Sequence, residues 1–267
     1  MISLSVDIKS KNFPGHGTGK KTAALQDLHF TVTEGEFACL VGPSGCGKTT
    51  LLNIISGLDT EVNGSAWLKS GDGRVHPEEV SIGYMFQTPR LLPWLSVLEN
   101  VRIVMDPAGV QAGEAERLLE EMGLSHVMQA FPNRLSGGMQ RRAALARAFA
   151  VRPKLLLMDE PFVSLDAPTA ERLRTLLLDS WKTRRTTVLF VTHDLSEAIH
   201  LGDRILFLSQ SPGSVVLDLR VPLPRPRDPH DPKIEDFRKK LLADYPKLLA
   251  GLASAPQGPE KPAPASA

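Results

Sequence analysis

Residues 42–50 read GPSGCGKTT: three glycines, a lysine and two threonines set directly behind the apolar run FACLV. Gly42, Gly47, Lys48 and Thr49 meet the spacing G-x-x-x-x-G-K-[ST]. Glycines let successive backbone N–H groups turn inward with no Cβ in the way. Those amides make a concave anion cradle, and the dipole of a following helix adds to its pull on phosphate. Pro43, Ser44, Gly45 and Cys46 complete the loop, and Thr50 follows it. The chemistry implied is the binding of a nucleoside triphosphate such as ATP. Lys48 would reach the β- and γ-phosphates, and the Thr49 hydroxyl would turn to Mg2+. Cys46 stands beside Lys48 near a helix start, and both features lower a thiol pKa. That predicts a reactive thiol whose alkylation blocks ATP binding; the plain alternative is a small, buried, inert residue.

Binding alone does not hydrolyse. LLLMDE places Asp159 and Glu160 at the C-terminal end of an apolar strand, the end where open α/β sheets hold ligands. Asp159 would hold Mg2+ through its water shell, and Glu160 would polarise the attacking water as general base. His193 closes the strand VLFVTH, where it would sense the γ-phosphate or simply cap the strand. Gln87 follows IGYMF, placed to reach Mg2+ or water with its amide, or to lie on the surface. LSGGMQ, residues 135–140, is a second candidate anion site. Ser136 can cap a helix, Gly137 and Gly138 open the backbone amides, and Gln140, Arg141 and Arg142 follow. One nucleotide needs one phosphate loop, so a second phosphate-reading surface makes sense if it serves a nucleotide held by another copy. Standing alone it would be an ordinary Ser-Gly-Gly turn.

Elements that could position these groups follow from the apolar pattern. Residues 2–8 and 27–41 read as strands, and PGHGTGKK, residues 14–21, as a hairpin loop. LLNIISGL reads as a helix ending near Gly57, and residues 62–86 as strands broken by the turn SGDGR. From Thr88 to about Ala150 the pattern is mostly helical, including 113–123 and 139–151. Continuous apolar runs at 154–159 and 186–193, and RILFLS at 204–209, alternate with helices at 168–182 and 195–201. Strands alternating with helices imply a mainly parallel sheet. Residues 221–232 form a proline-rich connector. Ile234, Phe237 and Leu241 then share one face of a helix, which packs on the core or on a partner. The tail 254–267 is low in complexity and reads as disordered.

The 267 residues carry a net charge of +1, so bulk charge offers no argument for nucleic acid or an anionic membrane. Two cysteines seven positions apart have no metal-ligand spacing and fit a reduced compartment. Asp7 and Lys9 come too early for a secretion signal. No apolar run approaches the ~18 residues of a membrane span, so work at a membrane requires docking to another chain.

In order along the chain, the phosphate loop, Gln87, LSGGMQ, LLLMDE, Ser164-Leu165-Asp166 and His193 resemble the ATP-binding cassette (ABC) ATPases. The likeness covers about residues 1–225. It implies a P-loop α/β core, RecA-like and mainly parallel, with an antiparallel β subdomain and a helical signature subdomain inserted at about 88–150. Residues 226–252 would be a linker and helix, and 253–267 a disordered tail. By resemblance Phe13 looks like the aromatic that stacks on adenine, and Asp166 lies in the loop that communicates across a dimer. Two copies would sandwich two ATPs, each between one copy's phosphate loop and the other's signature. YMFQTPRLLPWLSVLENV, MDEPFVSLDA and VTHDLSEAIHLGDRILFLS look more narrowly like the nitrate/sulfonate/taurine importers. That likeness implies a peripheral ATPase on the cytoplasmic face of the inner membrane. It would serve a membrane-spanning permease and, indirectly, a solute-binding protein, with no nucleic acid. Arg90, Leu91, Leu92, Pro93 and Trp94 look like the surface facing the permease, though Trp94 beside leucines would equally suit local core. Val163 and Ser164 are small departures from the family pattern. A soluble ABC ATPase remains the alternative, and would usually carry paired cassettes or long insertions.

Overall fold

The computed structural model describes residues 2–14, 21–71, 73–163 and 165–252. Strand β1 (Ser3–Phe13) pairs antiparallel with β2 (Thr22–Val32), from Leu4 opposite Val32 to Phe13 opposite Thr22. The loop between them lies largely outside the described residues. The stretch 27–41, expected to hold short strand segments, contributes to two strands. A turn divides it, because the Thr33 N–H and hydroxyl both donate to the Glu36 carboxylate and Gly35 adopts a φ of 68°. The chain re-enters as β3 (Phe37–Val41) in a different sheet.

Helix α1 (Lys48–Ile55) follows, then β4 (Asn63–Ser70), β5 (Gly73–Val75) and β6 (Ile82–Met85). Four helices fill the next stretch: α2 (Val97–Arg102), α3 (Pro107–Gln111), α4 (Glu114–Glu121) and α5 (Gly137–Ala150). The remainder is β7 (Leu155–Asp159), α6 (Ala167–Arg184), β8 (Thr187–Thr192), α7 (Leu195–Leu201), β9 (Arg204–Leu208), β10 (Val215–Arg220) and α8 (Pro232–Asp244). One sheet is antiparallel in the order β2-β1-β4-β5; the other runs β10-β9-β3-β8-β7-β6. All pairs of the second sheet are parallel except β10 on β9. No expectation covered β10. Its side chains are only half-buried at a sheet edge, so it lacks the continuous apolar run that marks its neighbours.

The parallel strands divide their side chains between two cores, because successive residues of a strand point to opposite faces. Ala38, Leu40, Leu157, Leu189 and Val191 pack with α1 and the antiparallel sheet. Phe37, Cys39, Val41, Met158 and Phe190 pack against the remaining helices. Helix α1 and the loop that feeds it are thereby tied to the antiparallel sheet and to one face of the parallel one. Helix α8 rests on this molecule: Ile234 and Leu241 belong to the second core and Phe237 packs against it. Just before it, Arg225 and Arg227 cap α7. Arg225 donates to the Asp203 carboxylate at 2.7 Å and to the Leu201 carbonyl, and Arg227 donates to the carbonyls of Ile199 and Gly202.

Candidate active site

Parallel register brings three strand ends together. Val41 lies opposite Thr192, and Asp159 opposite Val191. The phosphate loop, Glu160 and His193 therefore leave the sheet side by side at its C-terminal edge. The loop and Glu160 open onto a cleft of about 450 Å³, whereas His193 lines a separate hollow with Phe162, Asp194 and Glu197. Ser44, Gly45 and Gly47–Thr50 form one wall, Asp159, Glu160 and Gln87 the next. Phe13, Thr22, Ala23, Ala24 and Ser211 close the far end. Sequence reasoning found Phe13 there but missed the other four, which are small and carry no motif.

The loop is shaped by what lies beneath it. Gly47 has a φ of 99°, and a Cβ there would meet Leu25 Cδ2 at 2.6 Å and the Ala24 carbonyl oxygen at 2.8 Å. Lys48 is buried and donates to the carbonyls of Gly42 and Pro43, each at 2.9 Å, while its Nζ stands 3.7 Å from Glu160 Oε1. The Thr49 hydroxyl donates to Asp159 Oδ2 at 2.7 Å. Burial pushes the Asp159 carboxyl up from its ordinary value; the Thr49 bond opposes that and the Glu160 charge adds to it.

Glu160 sits at φ 43°, in the left-handed region, with its N–H donating to the Val191 carbonyl at 3.0 Å. That turn swings the side chain away from the strand direction of Asp159 and toward β8. Its Oε2 lies 3.2 Å from His193 Nδ1. Arg141, two residues beyond the signature stretch's last glycine-methionine pair, donates to the carbonyls of Gln87, Pro161 and Val163. One guanidinium thus joins the Gln87 loop to the turn after Glu160, a role signalled only by its place after LSGGMQ.

Cys46 contradicts the expectation of a reactive thiol. Its side chain is buried in the core beneath the loop. Burial raises its pKa, and the opposing pull of Lys48 and of nearby backbone N–H groups does not reverse that.

A family model described as ABC transporter matches residues 25–163. An aliphatic sulfonates import ATP-binding protein of Burkholderia lata is 47% identical over 224 residues, 84% of this chain and 81% of that protein. The chain belongs to the ABC transporter family. A protein of the same name from Bacillus subtilis is 38% identical over 250 residues, 92% of this chain and 95% of the relative. An ATP-binding cassette solved as a dimer in a post-hydrolysis state with ADP and Pi superposes with a TM-score of 0.70 at 30% identity, over 82% of this chain and 98% of that one. The chain is thus an ABC ATPase, an enzyme that couples ATP hydrolysis to transport.

The signature of this ABC ATPase stands apart from its own cleft. Ser136 caps α5 by accepting from the Met139 N–H at 3.3 Å, which lets the helix begin at Gly137, two residues before the expected start. Gln140 donates back to the carbonyls of Pro132 and Leu135. Asp166 caps α6 through the Thr169 N–H at 3.1 Å, and a Cβ on Gly138 would meet Thr169 Cγ2 at 2.7 Å. Signature and Asp166 loop therefore adjoin. None of Ser136, Gly137, Gly138, Gln140 and Asp166 lines the cleft that holds Lys48 and Glu160, and Ser164 lies outside the described residues. Trp94 is 69% exposed, which removes the local-core reading. Arg90 lies over the Phe86 ring at 4.1 Å, beside an apolar groove that includes Leu92, Ile103 and Val104. Among the described residues no helix is long and apolar enough to cross a membrane.

Proposed function

We propose that two copies of this ABC ATPase hydrolyse ATP between them and drive import of an aliphatic sulfonate or similar small anion through a separate membrane-spanning subunit. The observation that carries the hydrolytic reading is the 2.7 Å contact of Thr49 with Asp159, on a cleft shared with Lys48, Glu160 and Gln87. The Thr49 hydroxyl and the Asp159 carboxylate are hard oxygens, which suit Mg2+. That ion takes few protein ligands and fills its shell with water and phosphate. Thr49, Asp159 and Gln87 would hold it, and it would neutralise charge shared by the β- and γ-phosphates.

The chain's own groups do the rest. Lys48 exchanges its two loop carbonyls for phosphate oxygens, and the loop amides cradle the remainder. Glu160 orients a water in line with the γ-phosphorus and accepts its proton as the bond to the β-phosphate oxygen breaks. His193 steadies the Glu160 carboxylate and faces the γ-phosphate. Phe13, 41% exposed at the far end of the cleft, stacks on adenine. Catalysis is then mostly positioning and electrostatics. Ser136, Gly137, Gly138 and Gln140, standing outside their own cleft, read the phosphates of the partner copy's ATP, with Asp166 at the seam.

Arg90–Trp94 and the adjoining groove are the surface for the membrane subunit, which keeps the ATPase peripheral on the cytoplasmic face. A solute-binding protein acts upstream, and nucleic acid plays no part. The sulfonate assignment is supported by the names of the relatives from Burkholderia lata and Bacillus subtilis. The test is purification from gently solubilised membranes, followed by reconstitution with the co-purifying chains and measurement of ATP-driven uptake of labelled ethanesulfonate, taurine and nitrate. Recovery of a polytopic subunit and sulfonate uptake support the proposal. Recovery of soluble partners alone overturns it.

A further inference from the structure

We propose that Arg174 and Glu197, which lie outside the ATP cleft, are positioning residues that hold Glu160 and His193 in register. The inference rests on the reading of those two groups as hydrolytic.

Glu160 and His193 leave neighbouring strands and each is followed by its own loop. What fixes their separation is whatever ties the two loops together. Arg174, on α6, touches both. Its guanidinium lies 5.6 Å from the ring centroid of Phe162, two residues after Glu160. Its Nε donates to Glu197 Oε1 at 2.9 Å, and a terminal nitrogen forms an ion pair with the same oxygen at 2.9 Å. Glu197, on α7, is buried with its side chain 6% exposed. Its backbone N–H donates to Asp194 Oδ1 at 3.3 Å, directly after His193, and Thr192, directly before His193, lines the same hollow. The Thr192 hydroxyl oxygen accepts from the Asp194 N–H at 3.0 Å. His193 is thus spanned by a bonded clasp whose outer end is Arg174.

The arrangement is costly unless it has a use. A buried carboxylate must be paired, and a buried pair is often no more stabilising than an apolar replacement. What such a pair supplies is direction: a forked guanidinium fixes both distance and angle, as an ammonium does not. Phe162 is buried against Phe190 of β8 at 5.6 Å between centroids, so the surface on which the arginine rests is itself immobile. Arg174 also belongs to the helix that Asp166 begins, two turns further on. A shift of that helix start on contact with a partner copy therefore reaches the Glu160–His193 pair through one side chain.

The experiment uses the full-length protein and single-turnover hydrolysis of labelled ATP. Arg174→Met should lower kcat at least about tenfold while KM for ATP changes less than about twofold. Arg174→Lys, which keeps the charge but loses the fork, should recover only part of the rate. The deciding comparison is the His193→Ala background. A residue acting through His193 has nothing left to position there, so adding Arg174→Met should lower the rate less than about twofold. If Arg174→Met costs the same factor in both backgrounds, or leaves kcat unchanged, the positioning role is overturned. Should Arg174→Met fail to fold, Arg174→Lys carries the same comparison. If His193→Ala alone leaves kcat unchanged, the hydrolytic reading of His193 falls, and the inference with it.

Discussion

Gly213 offers a way to move the phosphate loop without touching it. A Cβ at this position would collide with the carbonyl oxygen of Cys46, inside the loop, and would press on Leu25 Cδ2 at 3.3 Å. Its φ is not in the left-handed region, so Gly213→Ala is a test of space alone. Either the loop or Gly213 must yield. Gly213 is held on both sides: its N–H donates to the Ala24 carbonyl at 2.9 Å, and its own carbonyl accepts from the Gln26 N–H at 3.1 Å. Releasing both bonds would cost about 2 kcal/mol at roughly 1 kcal/mol each. Within the loop, by contrast, the Cys46 N–H reaches the Pro43 carbonyl at a long 3.4 Å, and the shorter ties to Gly42 and Pro43, at 2.9 Å, come from the pliant Lys48 side chain. The loop should therefore give way, at an overpacking cost of about 1–3 kcal/mol. Taking about 2 kcal/mol as the loss in the ATP-bound state gives roughly a 30-fold weaker affinity, since about 1.4 kcal/mol is tenfold. Equilibrium binding of a fluorescent ATP analogue measures this, with urea unfolding alongside. A 30-fold rise in Kd with the unfolding midpoint nearly unchanged is the expected outcome. Unchanged affinity with a large loss of stability would mean that the Gly213 segment yields, and would refute the reasoning.

Four further outcomes follow from the geometry. Glu160→Gln should bind ATP normally and accumulate as an ATP-bound dimer on gel filtration; rapid turnover by that variant would remove Glu160 as general base. Phe13→Ala should raise KM for ATP about tenfold, since stacking a base on an aromatic ring is worth about 1–3 kcal/mol, with kcat unchanged. Both cysteines should resist a thiol reagent in the native protein and react only on unfolding, because Cys39 and Cys46 are buried with raised pKa values; rapid native labelling that ATP prevents would restore the reactive-thiol reading. Trp94→Ser should leave the ATPase rate of the isolated subunit intact while abolishing co-purification of the membrane subunit.

The parts of this molecule that sequence makes legible are those where one residue type has one physical use. A strand buried on both faces has to be a run such as KLLLMD, and a phosphate cradle has to be glycine-rich. The chain order of such runs, alternating with helices, was enough to imply a parallel sheet. The meeting of Thr49 with Asp159 is a different matter, since 110 positions separate them and only the strand order β3-β8-β7 brings them together. The turn at Thr33–Glu36 was hidden because Glu36 looks like any surface acid until its carboxylate is seen bonded to Thr33. Cys46 misled because the local charges were visible in the sequence and the depth of burial was not. Arg141 and Arg174 read as surface arginines on helices, yet each joins loops that are distant in sequence.

Arg225 and Arg227 bear on where this ATPase can be cut or joined. The last strand of the sheet ends at Arg220, and a modular view would end the catalytic unit there. Yet the two arginines, five and seven positions on, close the open end of the helix that follows His193. A chimera that changes chains after β10 would give that helix a foreign cap and shift His193 from behind. The junction that preserves the engine lies beyond Arg227, and one that also keeps α8 seated on its core lies beyond Leu252.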